Sequence, residues 1–307
     1  MKNENIHKIA QELTIKENQI AKVLELTSEG NTIPFIARYR KEMTGNLDEV
    51  QIKAIIDLDK SMTALAERKA TVLSKIEEQG KLTAELKKVI EAAEKLPDVE
   101  ELYLPYKEKR RTKATIAREA GLFPLARLIL QNKTSLEKEA QAFICDGFET
   151  ADKAIAGACE ILIESFSEDN RLRSWVYNEI WSYSSVVSSV KDETADDKKT
   201  FQIYYDFSEK VSKMQGYRIL ALNRGEKLGI LKVVFDHNTD KMIRFMAARF
   251  KNRNAYIDDV ISKTIKKKIV PAMERRIHSE LTESAEDGAI ELFSENLRNL
   301  LLVSPLK

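Results

Sequence analysis

Apolar residues recur three and four positions apart along much of the chain. Between residues 48 and 78 these positions are Ile55, Leu58, Met62, Leu65, Val72 and Ile76. After Gly80 the same alternation resumes at Leu82 and continues to Leu96. This spacing is typical of helices that pack along one face. The two segments therefore predict an antiparallel helical hairpin that turns at Gly80.

A second regular line of apolar residues lies in the last third of the chain, at a strict spacing of four. Its members are Ile257, Ile261, Ile265, Ile269, Met273, Ile277 and Leu281. Because an α-helix has about 3.6 residues per turn, a line of this period winds around the helix and needs partners on several sides. We predict a long central helix over residues 256–283 with a bend at Pro271. Two shorter helices that meet at Pro271 are the alternative.

The rest of the pattern predicts further helices and a little strand. Helices are expected between residues 18 and 41, with a turn at Gly30, and between residues 121 and 183. The polar run 184–199 is expected to be a loop, whereas residues 201–207 and the apolar run from Gly229 each predict a strand. The fold class is therefore mainly α: a multi-helical scaffold with a long central helix, an antiparallel helical hairpin and a small two-stranded β-element.

Composition agrees with a helical globular protein. The 307 residues are 43% hydrophobic and 32% charged, with only 10 Gly and 6 Pro. We expect a helical region with the hairpin over residues 1–110, a helix-turn-helix-like region over 111–200, and the β-element with the long helix over 201–307.

Cys145 and Cys159 are too few for a disulfide framework or a common zinc site. With no signal-peptide or membrane-span pattern, we expect a cytoplasmic protein without a membrane partner.

Charge is balanced overall but clustered locally. The net charge is +1, so attraction to nucleic acid has to come from patches. The strongest patch comprises Lys107, Lys109, Arg110, Arg111, Lys113 and Arg118. Lys and Arg neutralise phosphates, and the neighbouring Tyr103 and Tyr106 offer rings for base stacking. The alternative interpretation is a solvated basic turn between two helices.

A second candidate for nucleic-acid contact is the pair of helices over residues 18–41. Thr32 is suited to cap the second helix, Pro34 fits its first turn, and its end carries Arg38, Arg40 and Lys41. Two helices folded over a glycine turn are also common without any such role.

Charge is segregated in the last third of the chain. Residues 241–276 hold eleven cations and three acids, whereas residues 280–298 hold six acids and one cation.

Little in the sequence indicates catalysis. His7, His237 and His278 lie far apart, without an acid or cysteine at ligand spacing. No phosphate-binding glycine motif occurs. We therefore expect no enzyme activity, no cofactor and no metal site.

Four blocks of sequence point to a known family. They read IPFIARYRKEMTGNLDEVQ, IEEQGKLTAEL, ELYLPYKEKRRTKATIAREAGLFPLA and ELFSENLRNLLLVSPLK. In this order they resemble the N-terminal half of the Tex family of bacterial transcription accessory proteins, which is related to a eukaryotic transcription elongation factor. The resemblance implies a helical scaffold ahead of an RNase H-like domain, a helix-hairpin-helix region and an OB-type RNA-binding domain. We accordingly expect the chain to be a fragment.

The chain departs from the family at one place. Gly216, Tyr217 and Arg218 stand where the family commonly has Ser-His-Arg, which puts in doubt any role that needs that histidine. The following Arg224, Gly225 and Glu226 match the family, and we interpret them as a structural turn.

Two functions remain open at this point. The first is non-specific binding of single-stranded nucleic acid, with RNA as the expected ligand, in support of downstream nucleic-acid-binding domains. The second is a protein-interaction scaffold that docks on RNA polymerase or the ribosome through the hairpin and the acidic residues 280–295, without direct nucleic-acid contact. The sequence alone decides neither RNA against DNA nor the oligomeric state.

Overall fold

The computed structural model describes residues 2–107, 111–131, 136–251 and 253–301. The chain divides into two compact units, Met1–Glu108 and Lys109–Lys307. Each unit has hydrophobic cores made of its own residues. The finer division into three regions stays a prediction. Lys109 and Arg110 of the predicted basic patch lie outside the described residues.

The first unit is built from helices. They are α1 (Lys2–Leu13), α2 (Glu17–Ser28), α3 (Ile33–Tyr39), α4 (Glu49–Glu78), α5 (Ala84–Ala92) and α6 (Leu96–Tyr103). A capping box starts α4: the Asp48 carboxylate accepts the Gln51 N–H at 2.8 Å, and the Gln51 side chain accepts the Asp48 N–H at 3.1 Å. Helices α1, α2 and α3 pack against α4 around a core that includes Ile20, Ile36 and Ile52.

The predicted helical hairpin is confirmed as α4 followed by α5. Gly80 lies between them with a φ of 67°, a left-handed conformation that favours glycine. Val72 and Ile76 of α4 share a buried cluster with Ile90 of α5. The second helix ends at Ala92 rather than Leu96, because Leu96 and Pro97 begin α6.

The second unit combines helices with one small sheet. Its helices are α7 (Lys113–Glu119), α8 (Phe123–Leu130), α9 (Leu136–Ala140), α10 (Ala151–Ser167), α11 (Asn170–Tyr183), α12 (Gly216–Lys227), α13 (Thr239–Ala247), α14 (Ala255–Lys263) and α15 (Val270–Leu301). Its strands are β1 (Ser185–Val190), β2 (Asp206–Lys210) and β3 (Leu231–Asp236). The mainly α fold class is confirmed. Within the described ranges, no helix combines the length and apolar character needed to cross a membrane.

The sheet has three strands among the described residues, where the sequence predicted two. Its order is β2-β1-β3 with antiparallel pairing, and Ser185 lies opposite both Lys210 and Asp236. The central strand β1 falls in the run 184–199 that was predicted to be a loop. The serines of β1 made the segment look like a polar loop in the sequence. In the structure Ser188 is buried, and its hydroxyl donates to the Tyr204 carbonyl at 2.5 Å. Pairing on both edges, rather than alternating apolar residues, makes this segment a strand.

The predicted strand over residues 201–207 is only partly correct. Gln202–Tyr204 form a 3₁₀ turn, and β2 begins at Asp206. The buried Asp196 carboxylate explains the turn, since it accepts the N–H groups of Thr200 and Phe201 at 2.8 Å each and the Tyr205 hydroxyl at 3.0 Å. Burial alone would raise the pKa of the Asp196 carboxyl, but these donors outweigh burial and lower its pKa.

The long central helix is confirmed in the second unit. Helices α14 and α15 are joined by a π-helical segment, Thr264–Ile269, into one uninterrupted helical stretch. Along it Ile257, Ile261, Ile265, Ile269, Met273 and Ile277 are buried, and Leu281 is half-buried. Helices α10, α11, α12 and α13 all pack against this stretch. The spacing of four thus marks a helix that is covered from several sides.

The π-helical segment was not predicted, and it lies directly before Val270 and Pro271. A π turn holds more residues than an α turn because its hydrogen bonds run from residue i to i+5. A spacing of four lies between the two periods, so the apolar line winds one way along an α-helix and the other way along the π segment. The π segment packs on α10 and α13, as α14 does, whereas α15 packs on α11 and α12. The Pro271 nitrogen cannot donate to the Lys267 carbonyl. The structure accommodates this interruption in the π segment directly before it, rather than in two separate helices.

Candidate nucleic-acid interface

Three exposed cations lie at the end of α3 in the first unit, and we name them the basic end of α3. They are Arg38, Arg40 and Lys41. Gly30, with a φ of 87°, forms the turn between α2 and α3, and Pro34 lies in the first turn of α3. Thr32 occupies the N-cap position, but its side chain accepts no helix N–H. The two helices and the glycine turn between them are therefore present. Their contact with nucleic acid stays a prediction.

Acidic residues neutralise the basic end of α3 only weakly. The Arg38 Nε lies 3.7 Å from the Glu49 carboxylate, and both side chains are largely exposed. Within the part of the chain that the structure describes, Arg40 and Lys41 form no ion pair, although the exposed Glu42 follows them directly in sequence. Because exposed ion pairs contribute little energy, the Glu49 carboxylate holds the Arg38 guanidinium only weakly.

Two aromatic rings lie beside these cations on the same helix. The side chain of Phe35 is 37% exposed and that of Tyr39 is 70% exposed. Their ring centroids are 5.3 Å apart, and the Arg40 guanidinium lies 5.6 Å from the centre of the Phe35 ring. Sequence reasoning missed both rings. Phe35 and Tyr39 are four residues apart, which places them on one helix face. This spacing beside three cations is the sequence pattern from which the rings could have been predicted.

The predicted basic patch over residues 107–118 is divided by the fold. Lys107 belongs to the first unit, whereas Arg111, Lys113 and Arg118 belong to the second. The Arg118 guanidinium pairs with the Glu164 carboxylate, which also accepts the Thr112 hydroxyl at 2.9 Å. Arg111 pairs with Glu119 at 2.9 Å, while Lys107 and Lys113 are exposed. Two arginines of the patch thus already have carboxylate partners, as the alternative interpretation expects.

The tyrosines beside that patch offer little ring surface. Tyr103 is 4% exposed, and the Arg68 guanidinium lies 5.5 Å from its ring centre. Tyr106 is half-buried and packs against the cluster of α4, α5 and α6. The hypothesis that Tyr103 stacks on a base is therefore wrong, because its ring is part of the core.

The basic segment 241–276 contributes a run of exposed lysines. Lys266, Lys267 and Lys268 lie in the π-helical segment, and all three are exposed. Other cations of the segment are paired, since Lys241 contacts Glu179 at 2.5 Å and Lys263 contacts Asp259 at 2.6 Å. The π-helical segment thus presents three consecutive exposed cations.

A polar cleft of about 640 Å³ lies at the edge of the sheet where Ser185, Lys210 and Asp236 are in register. The His237 side chain lines it, with Nε2 3.0 Å from Glu274 Oε1 and Nδ1 3.1 Å from the Thr239 hydroxyl. The hydrogen bond to Glu274 raises the pKa of His237 against the opposing effect of burial. Both ring nitrogens are engaged, which suits a structural histidine.

The other histidines and the cysteines do not converge with it. His7 Nδ1 lies 2.7 Å from Glu17 Oε1, and His278 Nε2 lies 2.8 Å from Asn223 Oδ1. Across the described ranges, no group of three His, Cys, Asp or Glu side chains is placed to hold a metal ion. Burial raises the pKa of the Cys159 thiol to about 11, which makes it a poor nucleophile.

The segment that departs from the family pattern begins α12. A Cβ on Gly216 would lie 3.2 Å from the Cα of Ala285, so this glycine allows α12 and α15 to approach closely. Arg218 donates to Glu209 at 2.7 Å. Arg224, Gly225 and Glu226 lie inside α12 rather than in the predicted turn. Gly225 is structural, because a Cβ there would lie 2.6 Å from Leu231 Cδ1.

Comparison with known proteins covers most of the chain. Residues 3–77 match the family model described as Tex-like protein N-terminal domain, and residues 131–293 match the Tex central region-like model. The chain is 41% identical to the protein YdcI of Bacillus subtilis over 97% of its own length and 43% of that protein. It is 38% identical to the transcriptional accessory protein Tex of Neisseria gonorrhoeae, over 97% and 41%. It is 30% identical to the human S1 RNA-binding domain-containing protein 1, over 93% and 31%. The chain thus spans less than half the length of these relatives.

Proposed function

The chain belongs to the Tex family. We propose that it is a helical scaffold of a transcription accessory protein and that it contacts single-stranded nucleic acid without sequence specificity. As a scaffold it would support nucleic-acid-binding domains elsewhere in the protein. The proposal involves no catalytic step and no cofactor, and it places the protein in the cytoplasm.

One observation supports nucleic-acid contact above the others, namely the exposure of the basic end of α3. Arg38 has only a long contact to Glu49, and no ion pair holds Arg40 or Lys41 within the described ranges. Lys and Arg bind phosphates whatever the base, and the release of counterions supplies the affinity. Lys113 and Lys266–Lys268 are further exposed cations that would add weak contacts. Contact through phosphates explains why we expect low sequence specificity.

RNA is the proposed ligand, and one relative supports this choice over DNA. The human relative is named for an S1 RNA-binding domain, and the chain matches 31% of that protein. The basic end of α3 itself does not distinguish ribose from deoxyribose. Parallel RNA and DNA titrations therefore belong to the test.

The experiment is a binding titration of the chain with fluorescent single-stranded RNA, and with DNA of the same sequence, over a series of salt concentrations. We expect the logarithm of the affinity to fall linearly with the logarithm of the salt concentration, and RNA to bind at least as tightly as DNA. Absence of binding at low salt, or an affinity independent of salt, would contradict the proposal.

A second candidate function is docking on RNA polymerase or the ribosome. Its supporting observation is the distal part of α15, where large apolar side chains are exposed among acidic residues. They are Ile290, Leu292, Phe293, Leu297, Leu300 and Leu301. Contiguous exposed apolar residues commonly mark protein contacts. Capture from a cell extract separates the two functions, since nuclease-resistant recovery of polymerase or ribosome supports docking and nuclease-sensitive recovery supports nucleic-acid contact.

A further inference from the structure

We propose that Phe35 and Tyr39 form a stacking platform for unpaired bases beside the basic end of α3. Tyr39 is the principal ring of this platform, and the ligand is a single strand whose phosphates reach Arg38, Arg40 and Lys41. This inference rests on the proposed function, because it names the form of nucleic acid that the same surface takes.

The Tyr39 ring lies outside the core of the first unit. Helix α3 buries Ile36 and Ala37 in the core of the first unit, so the core contacts of this helix are made by aliphatic side chains. Tyr39 is 70% exposed and so contributes little to that core. An aromatic ring that does not pack inward is available for a ligand.

The arrangement of the two rings leaves Tyr39 open to a ligand. Phe35 and Tyr39 are tilted by 41° at a centroid distance of 5.3 Å, so they do not cover each other face to face. Arg40 lies over the Phe35 ring, which leaves Tyr39 as the more open of the two. Single-strand binding proteins combine aromatic rings for bases with cations that follow the backbone, and this helix end presents both.

The form of the ligand follows from the chemistry of stacking. In a duplex the base faces are covered by their neighbours, whereas an unpaired base exposes a face that stacks on a tyrosine. Stacking is tolerant of sequence because every base has such a face. A platform of this kind therefore agrees with low specificity and favours single strands.

A protein partner is the competing occupant. Met43 and Val50 are also exposed, at 44% and 62%, and an apolar partner surface would contact such residues. The cations beside the rings favour a nucleic-acid strand, with Glu42 and Glu49 as the acids that a phosphate backbone would have to avoid. The two occupants predict different results for a Tyr39 variant.

The test compares Tyr39→Ala with Tyr217→Ala, a matched substitution of a tyrosine that is 64% exposed in the second unit beside Arg218. Each variant and the wild type are titrated with a single-stranded oligonucleotide and with an abasic strand of the same length. Tyr39→Ala should weaken binding of the base-containing strand by roughly tenfold. Its binding of the abasic strand and its salt dependence should not change, and Tyr39→Phe should bind like the wild type. Tyr217→Ala should behave as the wild type throughout.

Other results would overturn the inference. If Tyr39→Ala binds the base-containing strand as tightly as the wild type, the platform is wrong while the proposed function stands. An equal loss on the abasic strand would mean that Tyr39 does not act by stacking. Loss of a nuclease-resistant protein partner, with oligonucleotide affinity unchanged, would assign the rings to that partner. If the wild type binds neither strand, the proposed function fails together with the platform.

Discussion

His237 Nε2 lies 3.0 Å from Glu274 Oε1, and this contact ties the segment after β3 to the central helix. The two side chains are 13% and 27% exposed, so solvent screens the contact only in part. The hydrogen bond to Glu274 raises the pKa of His237, while burial opposes the shift. The contact therefore links the stability of the second unit to pH.

Replacement of this histidine should have a pH-dependent cost. Because the folded-state pKa of His237 is raised above the unfolded value of about 6.5, its contribution is fully present below that value. It is lost as the pH rises through the folded-state pKa. His237→Gln should lower the free energy of unfolding by about 1–2 kcal/mol under mildly acidic conditions, and by less under alkaline conditions. Urea denaturation of wild type and variant over a pH series measures this difference.

The Glu274→Gln variant is the companion test. It keeps the size of the partner and removes the charge that raises the pKa of His237. Its destabilisation should shrink over the same pH range. A cost that stays constant with pH in both variants would show that the pair is a packing contact without a titrating charge.

Truncation of the central helix core should strongly destabilise the second unit. The Ile269 side chain is completely buried in the π-helical segment, and Ile269→Ala should cost about 2–5 kcal/mol of unfolding free energy. Ile203, which is 75% exposed, provides a matched substitution, and Ile203→Ala should change stability by less than about 0.5 kcal/mol. Chemical denaturation of the two variants decides the point. Equal costs would contradict a central position of this helix.

Two glycines in helices should respond oppositely to an added methyl group. Gly225→Ala places its Cβ 2.6 Å from Leu231 Cδ1 and should cost about 1–3 kcal/mol by overpacking. Gly288→Ala in α15 meets no atom within 4 Å and should stabilise the helix by about 0.4–1 kcal/mol. Thermal unfolding compares the two. In a Leu231→Ala background the cost of Gly225→Ala should shrink, and an unchanged cost would locate the strain elsewhere.

Regular apolar spacing made most of the fold predictable. The hairpin and the central helix were read from residues three and four positions apart, which is a local signal. Strand β1 was missed because its serines give no apolar alternation, and its pairing with two other strands is not local. The π-helical segment was missed because a spacing of four fits a winding α-helix as well as a mixture of helix types.

The candidate site was predictable in its charges but not in its partners. Arg38, Arg40 and Lys41 were identified from sequence, whereas the pairing of Arg118 with Glu164 joins residues 46 positions apart. The burial of Tyr103 likewise depends on the packing of α4, α5 and α6, which the sequence does not display. Exposure is a tertiary property, so the choice between Tyr103 and Tyr39 as a stacking ring needed the structure.

The central claim is that the basic end of α3 contacts a nucleic-acid backbone. The most direct measurement is the salt dependence of single-stranded RNA affinity for wild type, for Arg40→Gln/Lys41→Gln and for Arg111→Gln/Arg118→Gln, with circular dichroism to confirm folding. Each lost phosphate contact on a single strand should flatten the log–log slope by about 0.7, so the α3 variant should lose about 1.4. The other variant should keep nearly the wild-type slope, because its arginines are paired with Glu119 and Glu164. A flattened slope in the Arg111 and Arg118 variant, with the α3 variant unchanged, would contradict the account.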